Sequence, residues 1–375
     1  MAKGFYLTLK IGPLVPIAVP KEVLDALTSV QVHTTVGETA SGFELKFSLS
    51  KRSSLNTLFL LSGSVPIPLV RVIIIVTING VSETLIDGMM TQHEVSPGSG
   101  SNSSTLTIKG TDLTTAMDYF KFSIPYPGMA PELRVLVMLA KYAFLGVIPM
   151  VIPSVLTDIP IPIDRIPRQK GTDLEYIKQL ADEAGYVFYL EPGPMPGTTK
   201  AYWGPEIRVG VPQPALSTDF DAHTNIESLD FTINTESRKD VYLLYTNPMI
   251  KVPIPIPLPD ISLLKPPLSL VSPVSKRIEF VSKLSKLSAI QVALTGLAEA
   301  AKNSDAVIAS GTLDVVRYGH ILKARGLVGV RGAGDALDGL YFVKSVTHNI
   351  KRGEYKQSFT LSRDGMISIT NKVSV

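Results

Sequence analysis

The chain has no cysteine among its 375 residues. That excludes a disulfide framework, a thiolate metal site and a cysteine nucleophile. Charge is scarce as well. Charged residues make up 18%, against roughly 25% in soluble domains. Apolar residues reach 45%, and the mean hydropathy is +0.23. A lone monomer of this composition has too few charges to solvate its surface. Two classes remain: a membrane protein, or an obligate oligomer that buries apolar surface between subunits. The length allows two to three modules, each with its own core.

A secretion signal is also missing from the first residues. Ile11 to Pro20 is apolar, but three prolines interrupt it and no small-residue cleavage site follows. This fits assembly in the cytoplasm and leaves the sequon at Asn102 without consequence. The longest apolar run, Val135 to Leu156, reaches bilayer-spanning length. Lys141 sits inside it, however, and Pro149 and Pro153 break its second half. Pro131 suits the first turn of a helix. The expectation is therefore a buried core helix from Pro131 to about Leu145 and no membrane span. The net charge of +3 is too small to argue for specific nucleic-acid binding. Its distribution says more. Residues 1–235 hold 17 Lys+Arg against 22 Asp+Glu, and residues 236–375 hold 19 against 11. A chain that is −5 at one end and +8 at the other suits stacking between two different partners.

No catalytic constellation survives inspection. His93-Glu94 begins like a zincin motif, but Pro97 stands where the second histidine belongs and would break the helix. Gly332-Ala333-Gly334 lacks the third glycine of a dinucleotide fingerprint and reads as a turn. There is no Gly-x-Ser-x-Gly elbow and no Walker loop. The five histidines (His33, His93, His223, His320 and His348) show no ligand spacing, and His348 reads as a structural residue within a strand. Asp182-Glu183 belongs on a solvated helix face. Catalytic, cofactor and metal residues are thus none, and an enzyme is not expected.

What the chain does have is strand pattern. Phe43, Leu45, Phe47 and Leu49 alternate with polar residues, as in a half-buried strand. Asn79-Gly80 is a strong hairpin signal, because both residues tolerate the positive φ of a type I′ turn. Ser96 to Ser104 reads as a hairpin tip. The pentapeptide Lys-Gly-Thr-Asp-Leu occurs twice, at Lys109–Leu113 and Lys170–Leu174, and each copy opens a helix with Thr111 or Thr172 as the cap. In the second copy Glu175 completes a capping box. Leu174, Ile177, Leu180, Ala181 and Ala184 form the apolar stripe of that helix, and Gly185 stops it. The only tryptophan, Trp203, follows a turn rich in proline and glycine. Leu229, Phe231 and Ile233 then point inward from a strand, and a further strand covers 240–246. From Asn247 to Lys276 prolines are too frequent for a helix or a central strand. That stretch should be extended, and it is too apolar for a solvated linker, so it should dock in a groove of its own subunit or a neighbour. A helix is expected from about Ser288 to Asn303.

The last seventy residues form an antiparallel meander. Leu327 to Val330 runs into the Gly332–Gly334 turn, Tyr341, Val343 and Val346 follow, Lys351-Arg352-Gly353 turns the chain, and Phe359 and Leu361 precede Asp364-Gly365. In "DGLYFVKSVTH" and "GEYKQSFTLSRDG", together with "RQKGTDLEYIKQLADEAGYVFYL" at Arg168–Leu190, the chain resembles phage tail baseplate hub proteins of the late control protein D family. That family is related to the hub portion of type VI secretion and other contractile injection system spikes. The resemblance covers most of the chain from about Leu69 to Gly365, apart from the proline-rich stretch.

The resemblance implies a mainly β fold with α+β insertions, in which two tandem β-barrel-like tube modules flank a helical or mixed module. The first tube-like module would span 1–118 and the mixed module 119–210. The second tube-like module would comprise 211–246 and 310–375, around a proline-rich insertion plus helix at 247–309. It further implies a homotrimeric ring that adapts a sixfold inner tube to a threefold spike, with tube, trimeric spike and other baseplate proteins as partners. The oligosaccharide-binding and β-helix domains of spike fusions have no counterpart here, which implies a separate spike protein. Two other classes compete with this reading: a tail-associated peptidoglycan hydrolase, and a membrane-anchored component using 135–156.

Overall fold

The computed structural model describes residues 4–13, 15–36, 39–49, 70–97, 104–154, 159–163, 166–219, 224–234, 239–246, 253–257, 265–271, 277–281 and 305–370. The expected helix at Ser288–Asn303 and the tip of the Ser96–Ser104 loop lie outside them. The fold is mainly β, with a few short helices. Its centre is a sheet of thirteen strands. In spatial order it runs Ser228–Ile233, Val307–Asp314, Glu354–Arg363, Gly339–Lys351, Leu27–Thr35, Gly42–Leu49, Ser104–Asp112, Val81–Ser96, Arg71–Ile78, Phe5–Gly12 and Ile17–Ala18. Gln213–Ser217 and Leu327–Arg331 branch from it, the latter pairing with Gly339–Lys351.

Local sequence explains how each strand sits. Gly42–Leu49 alternates as expected, and Phe43, Leu45, Phe47 and Leu49 are all buried. After Arg71 the strand Arg71–Ile78 is instead a run of β-branched residues, and Ile73 and Ile75 on its second face are buried along with Val72 and Ile74 on the first. A strand covered on both faces reads as a continuous apolar run. The Asn79-Gly80 turn joins it to Val81–Ser96, with φ of 50° and 81°. Two aromatic rings lie over glycines on a paired strand. Phe43 faces Gly110, and a Cβ there would lie 2.4 Å from the ring. Phe359 faces Gly311, where the distance would be 2.7 Å.

The C-terminal meander follows the sequence pattern. Tyr341, Val343 and Val346 are fully buried, and a bulge between Val343 and Ser345 accounts for the slip in alternation. Ser228–Ile233 departs from expectation. It is the terminal strand of the sheet, so Leu229 and Phe231 are only partly buried and Ile233 is exposed.

One contiguous apolar core joins residues from both ends of the chain, from Leu9, Val32 and Phe47 to Val328, Tyr341 and Leu361. A second core belongs to 113–203 with Met89, and is built around Val135, Met138, Ile177, Leu180 and Trp203. Its main helix, Asp173–Ala184, has the expected Thr172–Glu175 capping box and ends at Gly185 in the left-handed region. The first copy of the pentapeptide works differently. The cap position of the short helix Thr114–Met117 is Leu113, which has no side-chain cap, and Asp112 accepts from the Thr114 amide at 3.1 Å. There the pentapeptide is still the end of strand Ser104–Asp112, so the cap position falls two residues after Thr111.

The described part of the apolar run, residues 135–154, does not form one helix. Pro131–Ala140 is helical, Ala143–Leu145 is a single 3₁₀ turn, and Gly146 at φ 76° redirects the chain into strand Val147–Val151. Among the described residues no helix is long and apolar enough to cross a membrane.

The described parts of the proline-rich stretch pair with their own chain. Pro253–Pro257 lies beside Lys239–Thr246, which also pairs with Arg277–Val281 in a separate three-stranded sheet. Proline lacks an N–H, so Pro253–Pro257 occupies an edge. Ser269–Val271 pairs with Met366–Ser368, and Leu268 is buried against Leu327 and Phe342.

Ile177 is fully buried, between its helix and the strand Val187–Pro192. Replacing it with Asp puts an unpaired charge in the core. The expected loss is on the order of 3–5 kcal/mol, read from the shift of a denaturant midpoint.

Candidate interaction surfaces and module junctions

The charged side chains that matter most to this structure are inside it. Arg71 stands in the apolar run of its strand and is 4% exposed. Its Nε and Nη2 donate to the two Asp87 oxygens, both at 2.7 Å, and Nη2 also reaches the Gly197 carbonyl at 3.0 Å. The pair thus ties the sheet to the hairpin of the mixed module. Removing one member would leave a buried charge uncompensated, which is far more costly than losing an exposed pair.

Arg325 is the corresponding tie on the other side. Its guanidinium lies 3.9 Å from the centroid of the Tyr189 ring. Nε and Nη2 donate to the Thr35 carbonyl at 3.0 and 2.7 Å, and Nη1 donates to the Leu190 carbonyl at 2.9 Å. One side chain therefore joins the C-terminal strands, the N-terminal strands and the mixed module. Its own φ is 68°, a left-handed conformation unusual for arginine.

Within the mixed module Asp173 is fully buried and accepts from Lys141 Nζ, Tyr142 Oη and Gln169 Nε2, all at 2.8–2.9 Å. This explains the lysine in the apolar run: it reaches across to the start of the neighbouring helix. Arg134 on the same helix is buried too, donating to Tyr176 Oη and the Met129 carbonyl. Arg208 makes a two-bond pair with Asp305, which Lys344 also approaches at 2.7 Å. Burial alone would raise the Asp305 carboxyl, but the two cations outweigh it and hold the group well below the usual range.

The residues weighed for chemistry do not converge. His93 and Glu94 lie on strand Val81–Ser96, not on a helix. Gly332 and Gly334 form the turn before Gly339–Lys351, with φ of 89° and 94°. Asp182 and Glu183 face solvent. Among the described residues no three His, Asp or Glu side chains gather as a metal site would need. His348 is buried, with Nδ1 2.7 Å from Tyr355 Oη and 3.3 Å from Gln357 Nε2. Burial, with His33 nearby, pushes its pKa down to about 3.

Sequence reading missed the buried arginines. Arg71 inside "LVRVIIIV" carried a signal, since a charge within a strand buried on both faces must be paired. Arg325 carried none, because its partners are backbone carbonyls distant in sequence.

The open surfaces among the described residues include a cleft and an exposed apolar helix face. A cleft of about 1000 Å³ lies between Phe5 and Leu7 on the first strand and Leu24, Leu27 and Val30, with Arg317 and Lys351 among its charged lining. The outward face of Pro131–Ala140 and the strand after it is apolar, with Leu133, Val137, Phe144 and Ile148 all exposed.

No family model and no curated protein sequence matches the chain. Solved structures do. A tail protein from Neisseria meningitidis superposes with a TM-score of 0.62 at 16% identity, covering 97% of this chain and 98% of that one. The 43 kDa tail protein of prophage MuSo2 from Shewanella oneidensis gives 0.63 at 14% identity, over 97% of this chain and 100% of the other. The chain has the fold of these tail proteins. A lidded PdpA–VgrG complex from Francisella gives 0.64 at 8% identity, over 99% of this chain but 55% of that one.

Two outcomes test the buried charges. Asp87→Ala should cost about 3–5 kcal/mol in chemical denaturation, and the paired change Arg71→Met with Asp87→Leu should recover most of that loss. His348 is held neutral in the fold and protonates freely when unfolded, so the unfolded state binds the extra proton between pH 6.5 and about 3. Stability should fall with acid across that window by up to about 1.4 kcal/mol per pH unit, and His348→Gln should flatten the profile.

Proposed function

We propose that this protein is the structural hub of a phage tail baseplate or a contractile injection system. In this reading three copies form a ring that adapts a sixfold inner tube to a threefold spike. The observation that carries it is the likeness of almost the whole chain to two tail proteins at nearly their full length. Residues 1–118 form one tube-like module, and 211–246 with 310–375 form the other. Three chains then present six modules to the tube. The mixed module, 119–210, and the insertion, 247–309, lie outside that ring of modules.

Composition supports an assembled state. A chain with 18% charge leaves apolar side chains at the surface, and a closed cyclic oligomer is the common way to cover them. The opposite net charges of residues 1–235 and 236–375 suit a subunit held between two partners, the tube and a separate trimeric spike. Exposed Ile254, Ile256, Ile278 and Phe280 on the small three-stranded sheet suit contact with a neighbouring subunit or baseplate protein. The protein works by holding surfaces in register, without catalysis or cofactor, as part of a particle assembled in the cytoplasm.

The test is the native mass of the complex formed on co-expression with the spike protein from the same gene cluster. Three copies of this chain per spike trimer are expected. A stable complex with two or four copies would contradict the hub role.

A further inference from the structure

The first strand, Phe5–Gly12, is paired along its full length on one edge only. Its inner edge meets Arg71–Ile78, from Phe5 opposite Ile78 to Gly12 opposite Arg71. On the outer edge only Lys10 and Ile11 have strand partners, Ala18 and Ile17. The Leu9 carbonyl then accepts from the Val19 amide at 3.0 Å, and the chain leaves at Pro20 into the short helix Lys21–Ala26. Backbone groups along a strand alternate in direction. Because the Leu9 carbonyl points to the outer edge, the N–H and C=O groups of Leu7 and Phe5 point there too. Among the described residues no backbone group meets them.

This open edge runs along the cleft whose apolar lining is Leu7, Leu24, Leu27, Val30 and Ile350. The charged groups of the same cleft are unbalanced. Arg317 and Lys351 are exposed, and neither is ion-paired with a described residue. Arg352 donates to the Asp25 carbonyl and meets no carboxylate. The two acids in the lining are engaged within the chain. Asp314 accepts from the Arg317 amide at 3.0 Å, and Glu227 pairs with Lys356 at 2.9 Å.

We propose that this cleft binds an extended peptide segment of a partner protein, which adds to the outer edge at Phe5–Leu7 as an antiparallel strand. The segment takes up the line that Ile17–Val19 abandons at Pro20. Its apolar side chains, at alternate positions, enter the cleft, and its carboxylates meet Arg317 and Lys351. Two observations select this occupant. A row of unpaired backbone donors and acceptors is matched by another strand, and not by a small amphiphile. The unmatched cations call for an acidic segment. The site goes beyond the hub reading and does not rest on it.

The probe is a fluorescein-labelled heptapeptide of alternating Glu and Val, read by fluorescence anisotropy on the full-length chain. It should bind, and its counterpart with Lys in place of Glu should bind roughly tenfold more weakly. Arg317→Glu with Lys351→Glu, both at exposed positions, should reverse that preference while leaving thermal unfolding unchanged. A second measurement leaves the protein untouched. In an antiparallel pair, the residues whose side chains share the face of Leu7 are those whose N–H groups meet its edge. N-methylation of the valines should therefore abolish binding, and N-methylation of the glutamates should not. No binding of the Glu–Val peptide, equal binding of its Lys counterpart, or retention with N-methylated valines would overturn the proposal. Binding of dodecanoate with none of the peptide would assign the cleft to a fatty acid and overturn it equally. Any of these failures leaves the hub reading standing, since that reading turns on copy number in the spike complex.

Discussion

The rest of the structure depends on one strand, Leu27–Thr35, which is paired on both edges. On one side it bonds to Gly42–Leu49, and on the other to Gly339–Lys351, more than three hundred residues away in sequence. That double pairing converts the two ends of the chain into one sheet with one core. It also fixes the register between them, because a slip by one residue would turn Val30 and Val32 out of the core. Arg325 locks the same junction from the side, binding the last carbonyl of that strand while stacking on the mixed module. Most contacts at this centre are long-range, so folding should be slow relative to a helical protein of similar size.

Charge follows an unusual distribution. Arg71, Asp87, Arg134, Asp173, Arg208 and Arg363 are all buried, and each is hydrogen-bonded to polar partners. Arg363, for example, donates to the Ala336 and Asp338 carbonyls of the turn before Gly339 and to the Gly365 carbonyl, and it lies over the Tyr341 ring. Such groups specify how modules meet, since a misplaced junction would leave a charge stranded. They also remove charge from a surface that had little.

How legible this was in the sequence depended on the range of the interaction. Strand pattern at Gly42–Leu49, the Asn79-Gly80 turn, the Thr172–Glu175 cap and the C-terminal meander are local signals, and each appears where the residues indicate. The break of 135–156 into helix, turn and strand was legible in part, from Lys141 and Pro149, although Gly146 supplies the actual turn. The first pentapeptide misled because the same five letters end a strand in one place and open a helix in the other. Pairing of the two chain ends was not legible, as no residue in Leu27–Thr35 names its distant partner. Exposure of Ile233 was hidden for the same reason: alternation is identical in a central strand and at an edge. As for a site, the sequence offered no catalytic set, and what the structure offers is junctions and surfaces.

In the proposed role this chain occupies the joint between tube and spike. Cryo-electron microscopy of the intact particle, with the chain located in the density, is the measurement that decides this. Three copies in a single ring are expected, with tube protein on one face and spike on the other. Finding the chain away from that joint, or in six equivalent copies along the tube, would contradict it.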